Sequence, residues 1–160
     1  MTTLDEIPVA NTPPGGWHDV MPAPILDGCD DPLVAGAPEL RGTWHVIAAE
    51  HDGTALPADH PIHDHVERIE QAGDRVVITS SGVIHDMRAD GALEHGVHDV
   101  MQTDFTTPIV VAASFEDGVL VLRPDGIPGV EVRRRRDGDE MVWQYHTLFT
   151  ARLVRIDSEA

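Results

Sequence analysis

Short stretches in which apolar and polar residues alternate dominate the chain from Arg41 onward. Alternation with a period of two is typical of a β-strand with one buried face, and no window shows a helical period. Three sets of residues are each predicted to share one face of a strand: Trp44, Val46 and Ala48; Ile109, Val111, Ala113 and Phe115; Met141, Trp143 and Tyr145. The pattern therefore predicts an all-β fold.

Pairs such as Asp-Gly, Gly-Asp and Ser-Gly separate the apolar runs, which is the pattern of successive hairpins. About ten strands are predicted, at 42–50, 64–71, 75–80, 83–89, 96–105, 109–116, 119–123, 130–136, 140–146 and 149–156. Short links favour antiparallel neighbours, and closing such a meander removes its exposed edges. We therefore expect residues 41–157 to form an antiparallel up-and-down β-barrel of 8–10 strands, a shape that usually encloses a cavity.

Residues 1–40 differ in character, since they contain seven of the twelve prolines and no basic residue. Such a segment cannot form long regular elements. Its apolar side chains, among them Trp17, Met21 and Ile25, give it groups to lay against a surface. We interpret it as an irregular arm that serves as a lid over one end of the barrel.

Composition and charge indicate the expected cellular compartment and the classes of partner. The single cysteine, Cys29, cannot form an internal disulfide, and the first residues lack the features of a secretory signal, so a cytoplasmic protein is expected. No apolar run approaches the roughly 20 residues of a membrane span. The formal charge of -17 repels nucleic acid and anionic lipid, so neither is expected as a partner. The sequence leaves open whether the protein forms a homodimer.

The start and the end of the predicted barrel carry two short motifs. Gly42-Thr43-Trp44 opens the first strand, and Asp137-Gly138-Asp139-Glu140-Met141-Val142-Trp143 precedes Ala151-Arg152-Leu153. Over residues 41–156 the chain thereby resembles the calycin superfamily, which includes lipocalins, fatty-acid-binding proteins and the haem-binding nitrobindins. The resemblance implies a barrel that binds a small molecule.

The chain departs from these relatives in two places. About a dozen residues separate the first two strands, too few for the helix-turn-helix lid of fatty-acid-binding proteins. Leu148 stands where a nitrobindin would place its haem-ligating histidine, with His146 two residues earlier. The resemblance therefore does not extend to haem.

Two neighbouring strands carry groups suited to proton transfer. His85 and Asp99 share apolar neighbours such as Met87, so we expect both to face the cavity, where an aspartate can orient a histidine base. A purely structural pair is the competing interpretation. Tyr145 follows Trp143 on one face and could donate a hydrogen bond to a ligand. We interpret Trp44 and Trp143 chiefly as core residues that, with Met87, would line a ligand.

Arginines supply the candidate cations. Arg133 to Arg136 alternate faces in a strand, and the register that buries Val130 and Val132 is favoured over the one that turns Arg133 and Arg135 inward. Arg123 continues the set Val119 and Val121 and is therefore predicted as the inward cation for an anionic ligand group.

Histidines cluster at residues 60–65. His63 and His65 share one side of an extended segment and with Glu70 could bind zinc, iron or manganese. The spacing also resembles half of the first cupin motif, although Gly129 stands where the second motif places a histidine. A solvated polar loop is the favoured alternative, so no metal is assigned and a divalent metal is kept as the alternative cofactor.

Three function classes follow. The chain has no lysine, no Gly-x-Gly-x-x-Gly and no Walker loop, so imine chemistry and nucleotide cofactors are not expected. The leading hypothesis is a barrel that binds a small, largely apolar or amphipathic organic molecule. The alternative is a cofactor-independent isomerase, cyclase, hydratase or lyase, as found in secondary metabolism, using His85, Asp99 and Tyr145. The third is a cupin-like metal-dependent enzyme.

Overall fold

The computed structural model describes residues 2–156, so position 157, where the predicted barrel ends, lies outside it. Eleven strands follow one another: β1 Gly42–His51, β2 Thr54–Ala55, β3 Val66–Ala72, β4 Arg75–Ser80, β5 Val83–Arg88, β6 Val97–Val100, β7 Pro108–Glu116, β8 Val119–Pro124, β9 Val132–Asp137, β10 Glu140–Tyr145 and β11 Phe149–Arg155. Helical structure within this range consists of three 3-10 turns, Leu4–Glu6, Pro61–Asp64 and Leu93–His95. No helix in this range is long and apolar enough to cross a membrane.

The strands form one antiparallel sheet in the order β5-β4-β3-β1-β11-β10-β9-β8-β7-β6, with β2 paired to β1. The two edges approach each other: Asp90, just after β5, forms an isolated bridge with Ser114 of β7. The His85 ring of β5 lies 3.2 Å from the carbonyl oxygen of Val100 on β6. The sheet is thus a nearly closed up-and-down barrel, which confirms the predicted fold.

Side chains fill the centre of the barrel. Two of the predicted faces point inward as expected, those led by Ile109 on β7 and by Met141 on β10. In β1 the register against β11 shifts between Val46 and Ala48. Because this bulge inserts one residue, Ala49 takes the inner position and Ala48 is exposed, so the predicted inward face of Ala48 is wrong.

Local hydrogen bonds shorten two predicted strands. The strand predicted at 96–105 ends at Val100, because the Asp104 carboxylate accepts the N–H groups of Thr106 and Thr107 and holds a turn. The strand predicted from residue 64 begins at Val66, since the preceding 3-10 turn is capped by the ring of His60.

The arm packs against the outer face of β3, β4 and β5. Leu4 and Leu26 form an apolar cluster with the outward-facing Ala72, Val77 and Ile84. This second layer explains why every residue of β4 is buried although the strand has only one inner face.

Charged side chains of the barrel hold the arm by its backbone, Glu70 and Arg75 among them. Glu70 accepts the N–H groups of Ile25 and Leu26. Arg75 donates to three carbonyl oxygens of the arm, those of Leu4, Ile7 and Pro8. Because these bonds satisfy backbone groups, an irregular segment can lie on the barrel without a strand ladder.

Candidate functional site

A pocket of about 340 Å³ opens at the seam between β5 and β6. Its floor includes Met87 and Val97, which belong to the barrel core. The arm contributes its cover: Leu4, Asp5, Ile7, Val9, Ala10 and Asn11. The pocket therefore connects the interior of the barrel with the underside of the arm.

The arm bridges the two strands that flank the pocket. The Ala10 N–H donates to Asp86 on β5, and the Thr12 N–H donates to Asp99 on β6, each over 2.9 Å. Asp86 is also held by a buried ion pair with Arg75. Residues 10–12 thus join two edge strands that share no ladder in the described part of the chain.

His85 lies on the inner face of β5, as predicted, with its Nε2 paired to the Val100 carbonyl. Burial lowers the pKa of His85, more than the Val100 bond and the Asp99 charge raise it. Burial therefore favours the neutral imidazole. Because the Val100 carbonyl oxygen can only accept a hydrogen bond, Nε2 carries the hydrogen and Nδ1 is the nitrogen that could accept a proton.

Asp99 is near His85 but is not hydrogen-bonded to it. Its two carboxylate oxygens accept the backbone N–H groups of Thr12 and Val100. Asp99 therefore anchors the arm, and its charge acts on His85 only through space. The proton-transfer role of the two residues stays a prediction.

A polar network crosses the interior of the barrel. Arg134 donates from Nε and Nη2 to Glu67 over 2.8 and 3.1 Å, and His65 Nε2 lies 2.8 Å from the same carboxylate. Burial disfavours the charged form of Glu67. The Arg134 charge and the bonds from His65 and Arg134 outweigh that effect and lower the pKa of Glu67 to about 2.

Trp143 lies at the centre of an aromatic group. Its ring centroid is 4.6 Å from that of His65 and 4.9 Å from that of Phe149, and the Arg134 guanidinium lies 4.9 Å above it. Tyr145 stacks on Phe149 at 5.4 Å. The Trp143 indole N–H is buried without a hydrogen-bond partner in the described chain, which typically costs about 1–3 kcal/mol.

Trp44 lies in the barrel core near the start of β1. Its indole N–H donates to the Leu40 carbonyl over 2.8 Å, and Arg155 and Arg136 lie above its ring. Trp44 is thus a core residue away from the seam pocket, whereas Met87 and Asp99 line that pocket.

Arg123 does not point inward, so that prediction is wrong. Leu120 and Leu122 occupy the inner positions of β8, which sends Arg123 to the outer face, where it pairs with Glu116 and Glu131. The inward cation is Arg134. The favoured register of the arginine run already implied this, because a residue two positions after the inward Val132 shares its face.

The structure separates the three proposed metal ligands. His65 turns inward to Glu67, His63 Nε2 lies 2.9 Å from the Pro57 carbonyl, and Glu70 lies on the outer face under the arm. Among residues 2–156 no group of three His, Cys, Asp or Glu side chains is arranged to hold a metal ion.

Comparison with solved structures identifies the class of fold. Human cRBP IV, a cellular retinol-binding protein, superposes with a TM-score of 0.57 at 13% identity, over 75% of this chain and all of that one. The protein therefore shares the fold of this neighbour, a nearly closed antiparallel β-barrel like that of fatty-acid-binding proteins. No protein-family model and no curated protein sequence matches the chain.

Proposed function

We propose that the barrel binds a small, largely apolar organic molecule, and that the pocket at the β5–β6 seam receives it. The observation that carries this proposal is the continuity between that pocket and the barrel core through Met87 and Val97. The lining combines this apolar floor with charged side chains such as Arg75, Asp86 and Asp99, which suits a ligand that has a polar group as well as an apolar part. The retinol-binding neighbour with the same fold supports the proposal.

The dimensions favour a small ligand. A volume of about 340 Å³ lies at the lower end of the roughly 300–1,000 Å³ range of ligand pockets. The centre of the barrel is filled by Trp44, Met141 and Leu153, so the ligand would extend along the seam. Asp99, His98 and Asn11 at the rim would set its orientation.

The arm would act as the cover of this site. Ile7, Val9 and Ala10 line the pocket from above, and the bonds of Ala10 and Thr12 to the two edge strands hold the cover in place. Entry of a ligand would require these few bonds to open. The lid of this barrel would then be the first 3-10 turn and the residues after it, which lie along the seam between β5 and β6.

A pair of matched arm variants tests the proposal. Val9 lines the pocket and is 66% exposed, whereas Val20 is 77% exposed and does not line it. The neutral fluorescent probe N-phenyl-1-naphthylamine should bind the wild-type protein. We expect Val9→Trp to weaken this binding about tenfold, because an indole takes up much of so small a pocket, and Val20→Trp to leave it unchanged. Equal affinity in all three proteins would contradict the proposal.

Proton-transfer catalysis on such a ligand is the second candidate. It is favoured by the inward-facing His85, whose ring is held by the Val100 carbonyl. His85 does not itself line the seam pocket, so the ligand would have to reach it past Met87, its neighbour on the same face of β5. A compound that co-purifies with the protein should be incubated with fresh protein and followed by mass spectrometry. Conversion that is lost in His85→Gln but kept in His45→Gln, on β1, would support an enzyme. An unchanged compound would favour a carrier.

A further inference from the structure

Three arginines lie together at the Trp44 end of the barrel, and two of them face the carboxylate of Glu39. Arg41 pairs with Glu39 through two of its nitrogens, and Arg155 Nη2 lies 3.9 Å from the same carboxylate. Arg136 donates to the carbonyl oxygens of Glu39 and Gly138. This local excess of positive charge stands out in a chain with a formal charge of -17.

Arginines elsewhere on the surface are better neutralised. Arg123 faces both Glu116 and Glu131, and Arg152 faces both Asp137 and Glu140. At the Trp44 end there are more arginines than carboxylate partners. Partial burial and the charges of Arg136 and Arg41 lower the pKa of Arg155, more than Glu39 and Asp139 raise it. The guanidinium groups therefore repel one another in the structure as it stands.

An open pocket of about 520 Å³ adjoins this group. Arg41, Arg155 and Arg68 line it, and the Arg68 guanidinium also donates to the Pro22 and Ala23 carbonyls of the arm. Pro24 and Ile156 form its apolar wall. Glu70 also borders the pocket, but its carboxylate oxygens accept the arm N–H groups of Ile25 and Leu26.

We propose that this pocket binds the phosphate group of a small phosphate monoester, with the ester's organic part against Pro24 and Ile156. Three arginines and Glu70 line the pocket, and Glu39 pairs with Arg41 beside it, so an excess of one positive charge favours an anion there. Guanidinium groups suit such an ion because their planar forks donate two parallel hydrogen bonds. The pocket lies on the outer surface near Trp44 and is separate from the seam pocket, so either site can exist without the other.

Calorimetric titration with phenyl phosphate tests this proposal, with inorganic phosphate and benzyl alcohol as separate arms. We expect phenyl phosphate to bind, inorganic phosphate to bind more weakly, and benzyl alcohol to show no binding. Added salt should weaken the binding of phenyl phosphate, because the site is open to solvent. Equal affinity for inorganic phosphate would overturn the assignment of an ester, and equal affinity for benzyl alcohol would overturn the assignment of an anion.

Three arginine variants complete the test. Arg155→Gln and Arg41→Gln should each weaken phenyl phosphate binding about tenfold. Arg152→Gln is the matched control, because Arg152 lies on the same strand and is 44% exposed against 39% for Arg155, yet has two carboxylate partners of its own. Arg41→Gln serves even if loss of Arg155 from the Trp44 ring unfolds the protein, since the Arg41 side chain pairs only with Glu39 in the described chain. Equal binding by Arg41→Gln and wild type, or an equal loss in Arg152→Gln, would overturn the proposal.

Discussion

Glu67 and Arg134 lie 67 residues apart in the chain and form a two-bonded ion pair inside the barrel, over 2.8 and 3.1 Å. The pair joins β3 to β9 across the interior rather than along a ladder. Both side chains are almost completely buried. The barrel therefore has a polar centre whose members depend on one another, with Trp143 and His65 packed beside them.

Removing one partner of this pair should be costly. Arg134→Met leaves the Glu67 carboxylate buried with His65 as its remaining side-chain partner, and we expect a loss of about 3–5 kcal/mol in the free energy of unfolding. The double variant Glu67→Leu with Arg134→Met should lose less, since it leaves no buried charge unpaired. Urea unfolding of both variants measures the difference. A loss below about 1 kcal/mol in Arg134→Met would show that the pair is not formed.

The same pair predicts a loss of stability in acid. The pKa of Glu67 falls from 4.5 to about 2 on folding, so its stabilisation is present above pH 4.5 and disappears as the pH drops from there towards 2. The free energy of unfolding, measured by urea at several pH values across this window, should fall more steeply in the wild type than in Glu67→Gln. Parallel curves for the two proteins would refute a strongly lowered pKa.

The arm should depend on Arg75 for its position. Arg75 holds three carbonyl oxygens of the arm and is paired with Asp86, so Arg75→Met removes the main polar attachment of residues 4–8. We expect limited proteolysis within residues 2–34 to become at least several-fold faster. Arg88→Met is the control, because Arg88 lies on neighbouring β5 and reaches the arm only through an exposed pair with Asp5. Equal cleavage rates in the two variants would contradict this role of Arg75.

Alternation along the chain predicted most of the barrel, because inward positions repeat every second residue wherever a ladder is regular. The prediction failed where a local feature interrupted the repeat of inward positions. The bulge after Val46 turned Ala48 outward, and the Asp104 turn ended β6 early. Neither the bulge nor the turn can be recognised from the pattern of apolar residues.

The candidate site was harder to predict than the fold. His85 could be placed on the inner face from its neighbours, and Met87 with it, because both follow the alternation. The arm partner of Asp99 could not, since it is the backbone N–H group of Thr12, which lies 87 residues away. Arg123 was misplaced because Val119 and Val121 were taken to face inward, whereas Leu120 and Leu122 occupy that face.

Methionine-methyl NMR tests the central claim most directly. The chain has five methionines, of which Met87 lines the seam pocket, Met141 lies in the barrel core and Met21 lies in the arm away from both. The spectrum of methyl-labelled protein should be recorded during titration with N-phenyl-1-naphthylamine, with Met87→Leu used to assign the signal. We predict that the Met87 signal shifts with occupancy while that of Met21 does not. A saturating probe that leaves the Met87 signal unchanged, or that shifts only Met141, would contradict binding at the seam.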